Sequence, residues 1–131
     1  MRFARAVFYF EALSNLGSAG FAMFAPGAFL GQFTSEPIPA GAVEIGRWYA
    51  LLLVVLSLVL LAALREGTDR FLRPVIAAFL LGDVLQIAVA VRLGMVSGSS
   101  FAVHAAIWTS AFYALVRVYY LRRSNPTMFR A

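Results

Sequence analysis

The stretch EIGRWYALLLVVLSLVLLAAL, Glu44 to Leu64, decides what solvent this chain folds in. Both of its charges, Glu44 and Arg47, stand at its start. After Trp48 and Tyr49 there is only alanine, leucine and valine with a single serine, Ser57. A helix rises about 1.5 Å per residue, so roughly 20 apolar residues cross a hydrocarbon core about 30 Å thick. This segment has the length and the composition to do so.

Working outward, three more segments meet the same requirement: Ala4–Phe24, Pro74–Arg92 and Phe101–Leu121. Hydrophobic residues make up 62% of the 131, and the mean hydropathy is +0.83. Soluble domains hold roughly 45–50% apolar residues. The expected fold is therefore all-α: a single polytopic transmembrane domain, a four-helix bundle, with a short tail over 122–131. A membrane barrel would show alternating segments of about ten residues, and none persists here.

The formal charge is +5. Arg2, Arg5, Arg65, Arg70, Arg73, Arg122, Arg123 and Arg130 fall at the N-terminus, the second connection or the C-terminus, while Arg47 and Arg92 alone border the first and third connections. The positive-inside rule then places both termini in the cytoplasm. No basic face with interleaved aromatics lies outside the spans, so nucleic acid is not an expected partner. Glu11 and Asn15 interrupt the first apolar run, which reads as an uncleaved helix rather than a signal peptide.

Helix one should end near Phe24, because Pro26 and Gly27 follow. The connection APGAFLGQFTSEPIPAGAV is the longest. Phe29, Leu30 and Phe33 suit it to a re-entrant or surface piece, more simply a connector than a lid. REGTDRFLRP is expected as a tight charged hairpin, and the short GMVSGSS makes helices three and four antiparallel neighbours. Much of Leu51 to Leu64 should face lipid. Ser14, Gly17, Ser18, Ala19, Gly20 and Ala22 on helix one form a small-residue face for close packing.

Asp83 stands near mid-membrane in FLLGDVLQIAV, with Gln86 one turn further on. Glu11, Asn15 and Ser18 share one face of helix one at i, i+4 and i+7. Glu44, Arg47 and His104 lie near the outer boundary, with Trp108 one turn below His104. Arg47 and Asp83 differ in depth by about 8 Å, which an arginine could nearly span. A charge at the bilayer centre costs at least about 2.5–3.5 kcal/mol, so Asp83 should face inward toward a partner. That partner can be Arg47 or Asn15 in a purely structural role.

A cavity in the outer half is the functional alternative. Asp83 and Glu11 are then the candidate acid and base, because two carboxyl groups in a dry site cannot both ionise cheaply and a neutral one can donate a proton. Asn15, Arg47, Trp48, Gln86, His104 and Trp108 are the candidate ligand-binding residues, and Phe79, Phe112 and Tyr49 can add aromatic walls for developing positive charge. The ligand expected is a lipophilic or lipid-like small molecule from the bilayer. An isomerase or cyclase of a prenyl- or sterol-like substrate is the catalytic version. A non-catalytic subunit, in a homo-oligomer or a larger membrane complex, is the rival.

With no cysteine and one histidine, a protein metal site is not expected, and no cofactor is. His104 could ligate a macrocycle beside Ser100, although an interface histidine is the plainer reading. The absence of lysine excludes a Schiff base. A proton channel is not expected, since helices two and four show little that is polar in their cytoplasmic halves.

The APGAF segment after helix one, the Glu-x-x-Arg opening EIGRWY of helix two and the charged hairpin after it are similar to those of the small DoxX-like four-helix membrane proteins. The resemblance covers the first two-thirds of the chain. It implies a four-helix bundle with both termini on one side and assigns no catalytic residues.

Overall fold

A computed structural model describes residues 1–124, which form five helices: α1 (Arg2–Phe24), α2 (Pro26–Leu30), α3 (Ala40–Glu66), α4 (Asp69–Ser97) and α5 (Phe101–Arg123). No strand occurs among the described residues. By length and composition α3, α4 and α5 can each cross a membrane. α1 has the length, but Glu11, Ser14, Asn15 and Ser18 dilute its middle. Of the expected tail, only its start lies within the described residues.

The bundle is apolar outside and small or polar inside. Phe10, Phe24, Ile45, Leu52, Met95 and Leu115 are exposed, whereas Ala12, Ala22, Ala50, Ala63 and Ser57 are buried. A soluble protein avoids large exposed apolar patches; a lipid-facing one requires them. Ser57 satisfies its hydroxyl locally, donating to the Leu53 carbonyl at 2.7 Å. Along Leu51 to Leu64 the expected lipid face is present, but Leu53, Ser57, Leu60 and Leu64 form an inward stripe.

Element boundaries moved where turn chemistry was overestimated. The ten-residue hairpin contracts to Gly67 and Thr68, with helix on either side. Gly67 closes α3 at φ 76°, a left-handed conformation that glycine adopts without a Cβ clash. α4 begins five residues before Pro74, and that proline, still close to the helix start, forfeits only the bond to the Arg70 carbonyl. α2 starts with Pro26 at its first position, where the missing N–H is no loss.

The small-residue face of α1 is corrected in part. Ala19 and Ala22 are buried, but Ser14, Gly17 and Ser18 are exposed and a Cβ on Gly17 or Gly20 would meet nothing within 4 Å. The stripe that packs is Ala4, Phe8, Ala12, Ala19 and Ala22, and it brings α1 close along α3. Alanine already permits that approach, so the glycines are left on another face.

α4 and α5 form the second close pair, as the short connection between them led one to expect. The two pairs meet tightly at the end of the bundle that carries the N-terminus and the end of α5. There Ala4, Phe8, Leu60, Leu64, Leu72, Ile76, Val116 and Tyr120 make one core. Phe8 meets Tyr120 edge-to-face at 5.7 Å. Toward the other end, under α2, the pairs separate around a cavity of about 690 Å³.

Gly67→Ala should lower stability by about 1 kcal/mol, because alanine must adopt a left-handed φ, whereas Gly17→Ala should cost nothing. Denaturant unfolding in mixed micelles checks the pair; equal effects would refute the turn geometry.

Candidate functional site

Where the packed core gives way to the cavity, three charged side chains meet. Arg117 of α5 has no exposed surface. Its Nη1 donates to Asp83 Oδ2 of α4 at 2.5 Å, and its Nη2 donates to Glu11 Oε1 of α1 at 2.5 Å. Charge-assisted bonds of this kind are about twice as strong as neutral ones. The planar guanidinium is suited to the task because its donors diverge in fixed directions toward two separate carboxylates.

Among the described residues no Cα of α1 comes within 8 Å of one of α4. Arg117 therefore bridges helices whose backbones stay apart, and joins the α1–α3 pair to the α4–α5 pair. Aromatic rings enclose it: its Cζ lies 5.8 Å from the Phe8 centroid, 5.3 Å from Phe79 and 5.5 Å from Tyr113. These faces complement the cation. Glu11 Oε2 and Arg117 Nε are buried with no hydrogen-bond partner among the described residues.

The cavity opens beside this triad. Glu11, Asn15, Ser18, Asp83 and Gln86 all line it, so the polar face at i, i+4 and i+7 of α1 and the Asp83 turn of α4 come together. Phe79 and Tyr113 line it near the triad, and Phe21, Phe29, Phe33 and Tyr49 line it toward α2. Phe29 holds α2 in place, edge-on to Phe21 at 5.8 Å and stacked on Tyr49 at 5.9 Å. Gly46 leaves room for Leu30, whose Cδ1 would lie 3.2 Å from an added Cβ. The long connection thus contributes wall to the cavity, beyond linking two helices.

Four sequence candidates lie elsewhere. Arg47 pairs with Glu44, one turn away on its own helix, and its side chain is 43% exposed. It does not reach Asp83. Trp48 and Trp108 are 72% and 73% exposed, and His104 is also exposed; none of the three lines this cavity. Trp108 instead borders a shallow outer groove with Phe3, Phe10 and Phe112. Asp83 also does not depend on Asn15, because Arg117 takes one of its oxygens.

Arg117 is the residue that sequence reasoning misses. The signal is present: an arginine between FYALV and VYY stands inside an apolar span and calls for a buried partner as firmly as Asp83 does. It also corrects the expectation that the last helix has little polar in the half nearest its C-terminus. No group of three or more histidine, cysteine, aspartate or glutamate residues able to hold a metal occurs among the described residues.

A second polar cluster closes the packed end. Tyr120 donates to Asp69 Oδ1 at 2.6 Å, and Arg73 donates to the Ser124 carbonyl at 2.9 Å. Both tie the start of α4 to the end of α5.

Removing one member of a buried ion cluster is far costlier than removing all of it. Arg117→Met should destabilise by about 3–5 kcal/mol, and Arg117→Lys should recover only part because an ammonium lacks the divergent fork. Glu11→Leu, Asp83→Leu and Arg117→Met combined should restore most of the loss. Unfolding in mixed micelles measures all three, and wild-type stability in Arg117→Met would show that the triad holds nothing together.

No protein-family model, curated protein or solved structure matches this chain, so its fold and site stand on its own residues.

Proposed function

We propose that this is a four-span membrane protein, both termini cytoplasmic, whose cavity binds a lipophilic or lipid-like small molecule. Three helices able to cross a membrane support the multi-pass part. The arginine distribution supports the orientation. The layout also motivates, as a proposal, kinship with the DoxX-like proteins.

One observation carries the binding reading: a cavity of about 690 Å³ with two buried carboxylates on its wall and aromatic and aliphatic side chains around much of the rest. Small-molecule sites commonly measure about 300–1,000 Å³ and combine apolar walls with a few convergent polar groups. Glu11 and Asp83 supply the polar pole, Asn15 and Gln86 can orient a head group, and Phe21, Phe29 and Tyr49 can hold the apolar body. The cavity faces a bilayer that would deliver such a molecule by lateral diffusion.

An isomerase or cyclase would use the same two carboxyl groups. Arg117 occupies one oxygen of each, which leaves Asp83's second oxygen as the atom best placed for proton transfer. Binding requires no such step and is the reading favoured here.

Native mass spectrometry of the protein extracted from its own membrane tests the proposal. The expected result is a monomer or homo-oligomer carrying one defined lipophilic mass. A stoichiometric assembly with other polypeptides and no small molecule would overturn it in favour of a structural subunit.

A further inference from the structure

The triad does not balance its own charge. Glu11 and Asp83 face a single cation, and no other ion pair reaches either carboxylate among the described residues. With both carboxylates ionised, the cluster carries one net negative charge at the cavity wall. In a low-dielectric interior such a charge is relieved either by a proton on one of the two acids or by a cation close to them.

Free acceptors are present at the same place. Glu11 is 97% buried, since its exposure is 3%, and lines the cavity with Oε2 unpartnered. Asp83 takes its bond from Arg117 through Oδ2 alone, and its side chain keeps 10% of its surface open at the cavity wall. A neutral hydroxyl could satisfy these lone pairs but would leave the charge uncompensated. A protonated amine does both. The aromatic lining suits the same choice, because Phe79, Tyr113 and Tyr49 border the cavity and aromatic π-systems attract a cation.

We propose that the cavity takes a lipophilic cation: a protonated amine on an apolar body, its ammonium donating to the free oxygen of Asp83 and completing a four-charge cluster with Arg117 and Glu11. This rests on the binding cavity argued above and adds the chemical class of its ligand. Arg117 is the fixed cation of that cluster and the ligand is the exchangeable one.

The test compares radiolabelled N,N-dimethyldodecylamine with dodecanol on the full chain in phosphatidylcholine nanodiscs at neutral pH, with empty nanodiscs as the blank. The amine should be retained saturably at a single site per chain and at least about tenfold more tightly than the alcohol. Asp83→Asn, which keeps the shape and the acceptor but deletes the charge, should abolish that preference. Glu11→Gln deletes the same charge and replaces it should Asp83→Asn fail to fold. Ala106→Trp fills the cavity away from the triad and should eliminate retention of both probes. Equal affinity for amine and alcohol, or an unchanged preference in a folded charge-deleted variant, would overturn the cationic ligand and leave the cavity standing. Saturable retention of neither probe by the wild-type chain would overturn both.

Discussion

Everything in this bundle is arranged around one guanidinium in a place where charge is expensive. Arg117 can lie fully buried because two carboxylates and three aromatic rings meet it, and those groups come from α1, α4 and its own helix. Remove the cation and two buried carboxylates on α1 and α4 are left without a partner. The ion cluster thus sets the rotation of α1, α4 and α5 together. In lipid, where apolar side chains gain nothing by choosing protein over acyl chain, such polar contacts can fix helix rotation more sharply than packing does.

Below and above the cluster the bundle follows different rules. On the side of the N-terminus, alanines and a few large residues make an apolar core, closed by the bond from Tyr120 to Asp69. On the α2 side the two helix pairs part, and Phe29 docks α2 against α1 and α3 within one of them. Arg117 sits at the boundary, so that one group both terminates the core and holds the two carboxylates that line the cavity. Stability and binding are therefore coupled at this position, and the site's charged wall is held against the packed core.

Much of this was legible in the residues. Length and apolarity yielded the long helices to within a few positions, and Pro26 with Gly27 placed the end of α1. The face formed by Glu11, Asn15 and Ser18 was readable from spacing, as was the inward aim of Asp83. What was not legible was pairing across helices. Arg47 looked like the partner of Asp83 because depth alone was compared, but a side chain can be at a reachable depth and still point around the wrong side of its helix. Trp48, His104 and Trp108 failed for the same reason. Helix rotation depends on which faces bury together, and in a chain whose outside is as apolar as its inside the hydrophobic pattern hardly reports it. The hairpin was overestimated because charges were read as loop, whereas arginines at a membrane surface extend α3 and α4 without difficulty.

The bond between Arg117 and Glu11 joins residues 106 apart in sequence. A chain synthesised from its N-terminus commits Glu11 early and supplies Arg117 only with α5. Until then Glu11 has no cation and Asp83, once made, adds a second unpaired acid. An unfinished or misassembled chain thus carries a chemical mark of incompleteness, two uncompensated carboxylates at membrane depth, which folding of α5 erases in a single step. The same pairing that holds the bundle thus makes the acids of α1 and α4 depend on α5 for their cation.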